Sequence, residues 1–178
     1  MKEALTCCFT GHRPQDLGFA PGGAAEQALK NRIAGETLRL IAEQNVRHFI
    51  SGMALGVDTY AAQAVLRLRE LYPDVTLECA LPCKGQDRRW KKADREEYAR
   101  ILAAADRVTL LQESYTSFCM QLRDAYMVEQ ADIVLAVWNG CETGGTAYTV
   151  NCARKRGRTV IVIPPVAGSR QQAVGSSF

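Results

Sequence analysis

Short, continuously apolar segments alternate along the chain with longer segments that have an amphipathic pattern. Continuous apolar runs are typical of strands that are covered on both faces of a parallel sheet. They predict six strands, near residues 4–10, 47–51, 75–81, 107–112, 132–138 and 159–163. The amphipathic segments predict five helices, near residues 24–44, 57–71, 92–104, 117–130 and 144–156. Alternating strands and helices indicate an α/β protein with a doubly wound, mainly parallel sheet of about six strands flanked by helices.

The helical period is clearest in segment 57–71. One side carries charged residues, among them Arg67 and Glu70, and the opposite side is apolar. The apolar side is predicted to pack on the sheet; its members are Val57, Ala61, Ala64, Val65, Leu68 and Leu71. Periodicity is lost after Pro164. We therefore expect a single domain over residues 1–165 and a flexible C-terminal tail over 166–178.

Composition narrows the class of protein. With 178 residues and 47% hydrophobic residues, the chain is long enough for one globular domain with its own core. No apolar run approaches the roughly 20 residues that span a bilayer, and no secretion signal is recognised, so a cytoplasmic protein without membrane contact is expected. Seven cysteines occur without a CxxC pattern, which predicts reduced, mostly buried thiols and no metal. The alanine-rich stretch 103–105 fits either the core or an interface of a homo-oligomer.

The loops that follow the predicted strands carry the candidate chemistry. In an open parallel sheet, ligands bind at the carboxyl ends of the strands, where the strand order reverses. The loops after the first, second, third and fifth strands read TGHRP, SGMALGVD, LPCKGQDRRW and WNGCETGGT. All four are rich in glycine or in polar and basic residues. A polar, anionic ligand is therefore expected at this edge of the sheet.

Two of these loops favour a phosphorylated nucleoside. The glycines of ETGGT precede a helix, and helix N-termini bind anions through unpaired N–H groups; the alternative is a plain glycine turn with a threonine cap. Asp58 opens the helix after SGMALGVD, where it either favours the helix dipole or accepts hydrogen bonds from ribose hydroxyls. Neither G-x-G-x-x-G nor a P-loop lysine is present, so the usual dinucleotide and P-loop motifs are excluded.

Basic and aromatic residues complete the candidate set. Arg13 is suited to a bidentate phosphate contact, and His12 either donates to an oxyanion or is structural. The run RRWKK at 88–92 either closes over an anionic ligand or forms a solvated helix start. Trp90 and Trp138 are candidates for stacking on a base, although Trp138 is equally compatible with a place in the core.

Taken together, these segments resemble a known family. FTGHRP, SGMALGVD, LPCKGQDRRW, RDAYMVEQADIVLAVWNG and GGTAYTVNCA look like the YpsA-like proteins of the SLOG superfamily, from about Phe9 to Ile163. The resemblance implies a Rossmann-like fold and a nucleotide-derived small-molecule ligand, such as ADP-ribose, NAD or a nucleoside phosphate, bound by a sensor or regulatory protein. The expected ligand-binding residues are Gly11, His12, Arg13, Gly52, Gly56, Asp58, Arg123, Asn139, Gly140, Gly144, Gly145 and Thr146.

Two branches of that superfamily supply alternatives. SGMALGVD is similar to a segment of the DNA-processing protein DprA, but a net charge of +3 and 7% aromatic residues argue against binding of single-stranded DNA. The phosphoribohydrolase branch carries P-G-G-x-G-T-x-x-E with a catalytic glutamate, and the corresponding residue here is Thr149. A threonine cannot supply that carboxylate, so N-glycosidic hydrolysis would need another acid, for which Asp58 or Glu142 are the candidates.

Overall fold

The structure is a computed structural model that describes residues 3–166. Its strands are β1 (Leu5–Gly11), β2 (Val46–Ser51), β3 (Thr76–Leu81), β4 (Arg107–Leu110), β5 (Ile133–Val137) and β6 (Thr159–Ile163). Its helices are α1 (Ala24–Gln44), α2 (Val57–Leu68), α3 (Lys92–Ala104), α4 (Cys119–Gln130) and α5 (Gly145–Lys155), and a short 3-10 helix over Pro14–Asp16 follows β1. The strands and helices predicted from the sequence pattern are thus confirmed, with shifts of one to three residues at some ends.

The six strands form one parallel sheet in the order β4-β3-β2-β1-β5-β6. This is the Rossmann-like, doubly wound α/β arrangement that was expected. The order reverses between β1 and β5, where Cys8 pairs with Val134 and Gly11 pairs with Val137. The loops that follow these two strands therefore diverge at their carboxyl ends and leave a crevice, which is the usual ligand position in such sheets.

The core has a layer on each face of the sheet. Helices α1, α2 and α3 contribute to the larger layer, in which the rings of Phe9 and Phe49 stack with centroids 5.7 Å apart. Helices α4 and α5 cover the opposite face through small clusters that contain Met127 and Val150. Of the seven cysteines, five are buried and all are free thiols, as the sequence predicted.

The end of α2 differs from the sequence prediction. The helix stops at Leu68, and the chain then makes tight backbone turns, in which the N–H groups of Leu71 and Tyr72 donate to the Leu68 carbonyl. Pro73 follows, and a proline disfavours helical geometry at the residue before it. Leu71 is consequently 76% exposed, so its prediction as part of the buried face was wrong.

Other expectations fall outside what the structure describes. Residues 167–178, which make up nearly all of the predicted tail, lie outside the described residues, and the domain boundaries stay predictions. Within residues 3–166, no helix combines the length and the apolar character needed to cross a membrane.

Candidate functional site

A cavity of about 640 Å³ opens between the carboxyl ends of β1 and β5 and the starts of α2, α4 and α5. We call it the switch-point cavity, because it lies where the strand order reverses. Nine of the twelve predicted ligand-binding residues line it: Gly11, His12, Arg13, Asp58, Arg123, Asn139, Gly144, Gly145 and Thr146. The other three, Gly52, Gly56 and Gly140, do not line it. The structure thus brings together residues from four separate segments of the chain.

The start of α5 presents open backbone to the switch-point cavity. Gly144 has a φ of 94°, and neither a side-chain cap nor an acidic residue in the first turn occupies the helix N-terminus. A Cβ atom at Gly144 would meet nothing within 4 Å, and one at Gly145 would meet only Asp124 Oδ2, at 4.0 Å. The unpaired N–H groups and the positive end of the helix dipole therefore face a space that accommodates an anionic group.

Asp58 is a buried carboxylate in the wall of the same cavity. Its side chain is shielded from solvent. Its Oδ2 atom accepts a hydrogen bond, at 3.2 Å, from the backbone N–H of Ala54 in the loop before α2. Burial raises the pKa of Asp58 to about 6, although the nearby Arg123 guanidinium and the Ala54 N–H oppose this shift. Asp58 makes no side-chain cap of α2, but it lies in the first turn, where a negative charge favours the helix dipole, and its side chain also lines the switch-point cavity.

Arg123 lies at the base of the cavity, but its guanidinium is engaged within the protein. Its Nε atom donates to Asp124 Oδ1 at 2.9 Å, its Nη2 atom lies 2.8 Å from the same oxygen in an ion pair, and its Nη1 atom donates to the Gly52 carbonyl at 2.8 Å. Both side chains of the ion pair are buried. The arginine thus links α4 to the loop after β2 and places a positive charge near Asp58.

Glycine is required at the end of β1 and in the loop after β2, because neighbouring parts of the protein fill the space that a larger side chain would need. A Cβ atom at Gly52 would lie 2.8 Å from Arg123 Cζ, and one at Gly11 would lie 2.6 Å from the Val57 side chain. Gly56 has a φ of 92° and approaches the His12 carbonyl and Pro14. These positions are filled by other parts of the chain, whereas the open space lies at Gly144 and Gly145.

Replacement of Gly52 by alanine is therefore expected to destabilise the protein. The added methyl group would displace the Arg123 guanidinium from the Gly52 carbonyl, and overpacking of a buried site costs about 1–3 kcal/mol. Urea unfolding monitored by circular dichroism measures the change. Gly35→Ala is the matched control, because position 35 lies in the middle of α1 with nothing within 4 Å. Unfolding midpoints that are equal for both variants would contradict this account of Gly52.

The remaining predicted residues have contrasting positions. His12 Nε2 lies 3.0 Å from Asn139 Oδ1, so the loops after β1 and β5 meet across the crevice. Trp138 is buried, donates from Nε1 to the Cys141 carbonyl and belongs to the core. Thr149 is completely buried, and its hydroxyl donates to the Gly145 carbonyl at 2.9 Å. Thr149 therefore helps to hold the first turn of α5 and does not enter the cavity.

A second cavity, of about 810 Å³, adjoins the first. We call it the basic cavity; its lining includes Lys84, Arg88, Arg89, Trp90, Glu113 and Tyr115. Arg13 in the loop after β1, Ala54 in the loop after β2 and Met120 in α4 line both cavities. The first three residues of the RRWKK run line this cavity, and the last residue of the run, Lys92, is the first residue of α3.

Several residues of the switch-point cavity were not predicted from the sequence. Asp124, Ser117, Met120 and Gln121 line it, and all belong to α4 or to the turn before it. The adjacent Arg123 and Asp124 were the available signal, because opposite charges side by side in an otherwise amphipathic helix indicate a buried pair or a site. Within the described part of the chain, no group of three His, Cys, Asp or Glu side chains is placed to hold a metal ion.

Comparison with known proteins agrees with this architecture. A model of the YspA SLOG family (YpsA) matches residues 7–161. A UPF0398 protein of Bacillus cereus strain G9842 is 32% identical over 155 residues, which cover 83% of this chain and 82% of the relative. UPF0398 proteins of Halalkalibacterium halodurans and Bacillus thuringiensis strain Al Hakam are 29% and 30% identical over 151 residues, covering 83% of this chain and 79% and 82% of the relatives. The resemblance noted in the sequence is confirmed, and the chain belongs to the YspA SLOG family.

Proposed function

We propose that the protein binds a phosphorylated nucleoside or a derivative of one in the switch-point cavity and acts as a sensor or regulatory protein. Membership of the SLOG family suggests a nucleotide-related function. The proposal rests on one observation. The open N-terminus of α5, the buried carboxylate of Asp58 and the side chain of Arg13 all line one cavity of about 640 Å³. That volume lies within the range typical of small-ligand sites.

Each group has a distinct part in the proposed complex. The N–H groups at the start of α5, together with Thr146, would hold a phosphate, because the space in front of Gly144 and Gly145 is open. Arg13, an exposed residue at the rim, would contact the same phosphate. Asp58 would accept hydrogen bonds from ribose hydroxyls. The phosphate and the sugar would thus be recognised by different walls of the cavity.

Gly145→Ala tests the phosphate site without disturbing the fold. Position 145 has an ordinary backbone angle, and an added methyl group would project into the open space without a clash. The variant is expected to keep about native stability, because the added methyl group meets no clash, and to bind nucleoside monophosphates at least tenfold more weakly. Isothermal titration calorimetry with AMP, GMP, CMP and UMP measures the affinities, with Gly35→Ala as the helical control.

The outcome discriminates between ligand site and structural turn. If a monophosphate binds the native protein and the Gly35→Ala variant equally, while Gly145→Ala loses affinity, the phosphate lies at the α5 start. Equal affinity of all three proteins would place the ligand elsewhere. Absence of binding by any monophosphate to the folded native protein would overturn the proposal.

A nucleotide hydrolase is the second candidate, and the state of Asp58 favours it. A carboxyl group whose burial raises its pKa to about 6 is suited to general acid or base catalysis near neutral pH. Thr149, which stands where the related hydrolases carry glutamate, is buried outside the cavity and has no part in such a reaction. Chromatographic detection of free base after incubation with each monophosphate distinguishes this activity from binding alone.

A further inference from the structure

We infer that Cys83 and Cys119 form a site of reversible covalent modification, at which a hydroperoxide oxidises the two thiols to a disulfide. Cys83 lies in the loop after β3, and Cys119 is the first residue of α4. Both are free thiols, and their side chains hydrogen-bond to each other although they are distant in the sequence. Their reaction with an oxidant is independent of the ligand proposed for the switch-point cavity.

The contact distinguishes these two residues from the other cysteines. Cys7 and Cys8, although consecutive in β1, belong to core clusters on opposite faces of the sheet. The sulfur atom of Cys141 is exposed and lies 3.6 Å from a threonine hydroxyl. Among the thiols of residues 3–166, a hydrogen bond to a second thiol is found only for Cys83 and Cys119. Because a disulfide needs two neighbouring sulfur atoms, this pair is the one suited to form it.

An oxidant reaches the pair from the basic cavity. Cys83 lines that cavity, and so does Met120, the residue that follows Cys119 in α4. Cys83 is nevertheless only 2% exposed, and Cys119 is completely buried. The narrow access favours a small oxidant, such as hydrogen peroxide, over a bulky reagent.

The surroundings slow the reaction of the pair but do not make it inert. Burial and the neighbouring Cys119 thiol raise the pKa of Cys83, whereas the Arg88 guanidinium opposes this shift. The first turn of α4 has no side-chain cap and no acidic residue, so the positive end of the helix dipole lies beside the pair without a competing carboxylate. Because the thiolate is the form that attacks a peroxide, the positive groups promote the reaction and burial slows it.

The oxidation balances with one molecule of hydrogen peroxide for each disulfide. One thiolate attacks a peroxide oxygen, the O–O bond breaks, and the departing hydroxide takes up a proton to leave as water, so that a sulfenic acid remains. The second thiol attacks the sulfenic sulfur, the S–S bond forms as the S–O bond breaks, and the hydroxyl group leaves as water with the thiol proton. The product joins the loop after β3 covalently to the start of α4.

Disulfide mapping of the full chain tests the inference. The reduced protein is treated with hydrogen peroxide, its remaining thiols are alkylated in denaturant, and its tryptic peptides are identified by mass spectrometry. The expected product is a pair of peptides joined through Cys83 and Cys119, which dithiothreitol should release. The two residues should lose their free thiols to the same extent, and Cys83→Ser and Cys119→Ser should each form no link. Cys141→Ser, which removes an exposed thiol, is the matched control and should form the link as the native protein does.

Other results would overturn the inference. If Cys83 and Cys119 stayed open to alkylation while the exposed Cys141 was oxidised, they would be thiols of the core only. A disulfide from either residue to Cys79 or to a second molecule would show that the hydrogen-bonded pair is not the pair that reacts. Circular dichroism establishes whether the oxidised protein is folded, and a link found only after unfolding would count against the site. Mapping of the native protein decides the question even if a serine variant fails to fold.

Discussion

Replacement of Arg123 by alanine is expected to lower the free energy of unfolding by about 3–5 kcal/mol at neutral pH, the usual cost of breaking a buried ion pair. The guanidinium makes one hydrogen bond and an ion pair to Asp124 and one hydrogen bond to the Gly52 carbonyl, and all of these groups are buried. Its removal leaves the Asp124 carboxylate without its partner and Asp58 without the positive charge that opposes the rise of its pKa. The defect is thus electrostatic as well as steric.

The pH dependence of that loss identifies its cause. Without Arg123 the buried carboxylate of Asp58 becomes costlier to ionise, so the destabilisation should be largest at pH 8 and smaller at pH 5. Urea unfolding at both values measures it. Arg156→Ala, an exposed change at the end of α5, should alter stability by less than about 0.5 kcal/mol. A loss for Arg123→Ala that is the same at both pH values would show that packing, and not charge, dominates.

Replacement of Asp58 by asparagine is expected to have opposite effects on stability and on binding. The folded protein holds the pKa of Asp58 at about 6, above its ordinary value of 3.8, so the folded state binds more protons than the unfolded state between these values. The carboxylate therefore costs stability progressively as the pH rises through about 4 to 6. Asparagine removes this cost, and the gain at pH 8 is at most about 3 kcal/mol, since one pKa unit corresponds to about 1.4 kcal/mol.

The same substitution should weaken nucleoside monophosphate binding at least tenfold, because the asparagine amide has one acceptor oxygen, whereas the carboxylate has two. Thermal unfolding at pH 4 and pH 8 gives the stability difference, which should be near zero at the lower value. Calorimetry at pH 8 gives the affinity. Glu129→Gln, an exposed change at the far end of α4, is the matched control. Unchanged affinity in a stabilised Asp58→Asn variant would remove Asp58 from the ligand site.

The fold could be predicted from local sequence patterns, because residues that favour helix ends and turns mark where its elements stop. Helix α1 was predicted with its observed bounds, since Gly22 and Gly23 precede it and Asn45, with a left-handed φ of 58°, terminates it. The end of α2 was misplaced because Leu71 continues the apolar pattern, and only the backbone turns before Pro73 show that the helix has stopped. The apolar periodicity predicts which residues would share one face of a helix, but it does not predict the residue at which the helix ends.

The site was readable only in part, because the partners of its residues are distant in sequence. A glycine at 52 and a glycine at 145 look alike in a loop, yet one makes room for Arg123, 71 residues later, and the other faces open space. Glu78, which lines neither cavity, was likewise not singled out from the sequence, although it is the one charged residue in strand β3. Its buried carboxylate accepts hydrogen bonds from His48, Thr109 and Tyr126, and these contacts lower its pKa to about 2 although burial opposes the shift.

The dependence of Gly52 on Arg123 bears on how natural variation in such proteins should be interpreted. Because Gly52 leaves room for the arginine, selection for folding alone would preserve both residues, even in a descendant that had lost its ligand. Gly144 and Gly145 have no such structural partner, apart from the positive φ of Gly144, so under the proposed phosphate site the second of them would drift towards alanine once binding ceased to matter. Under that proposal, position 145, and not the loop after β2, is where divergence among relatives would record a change of function.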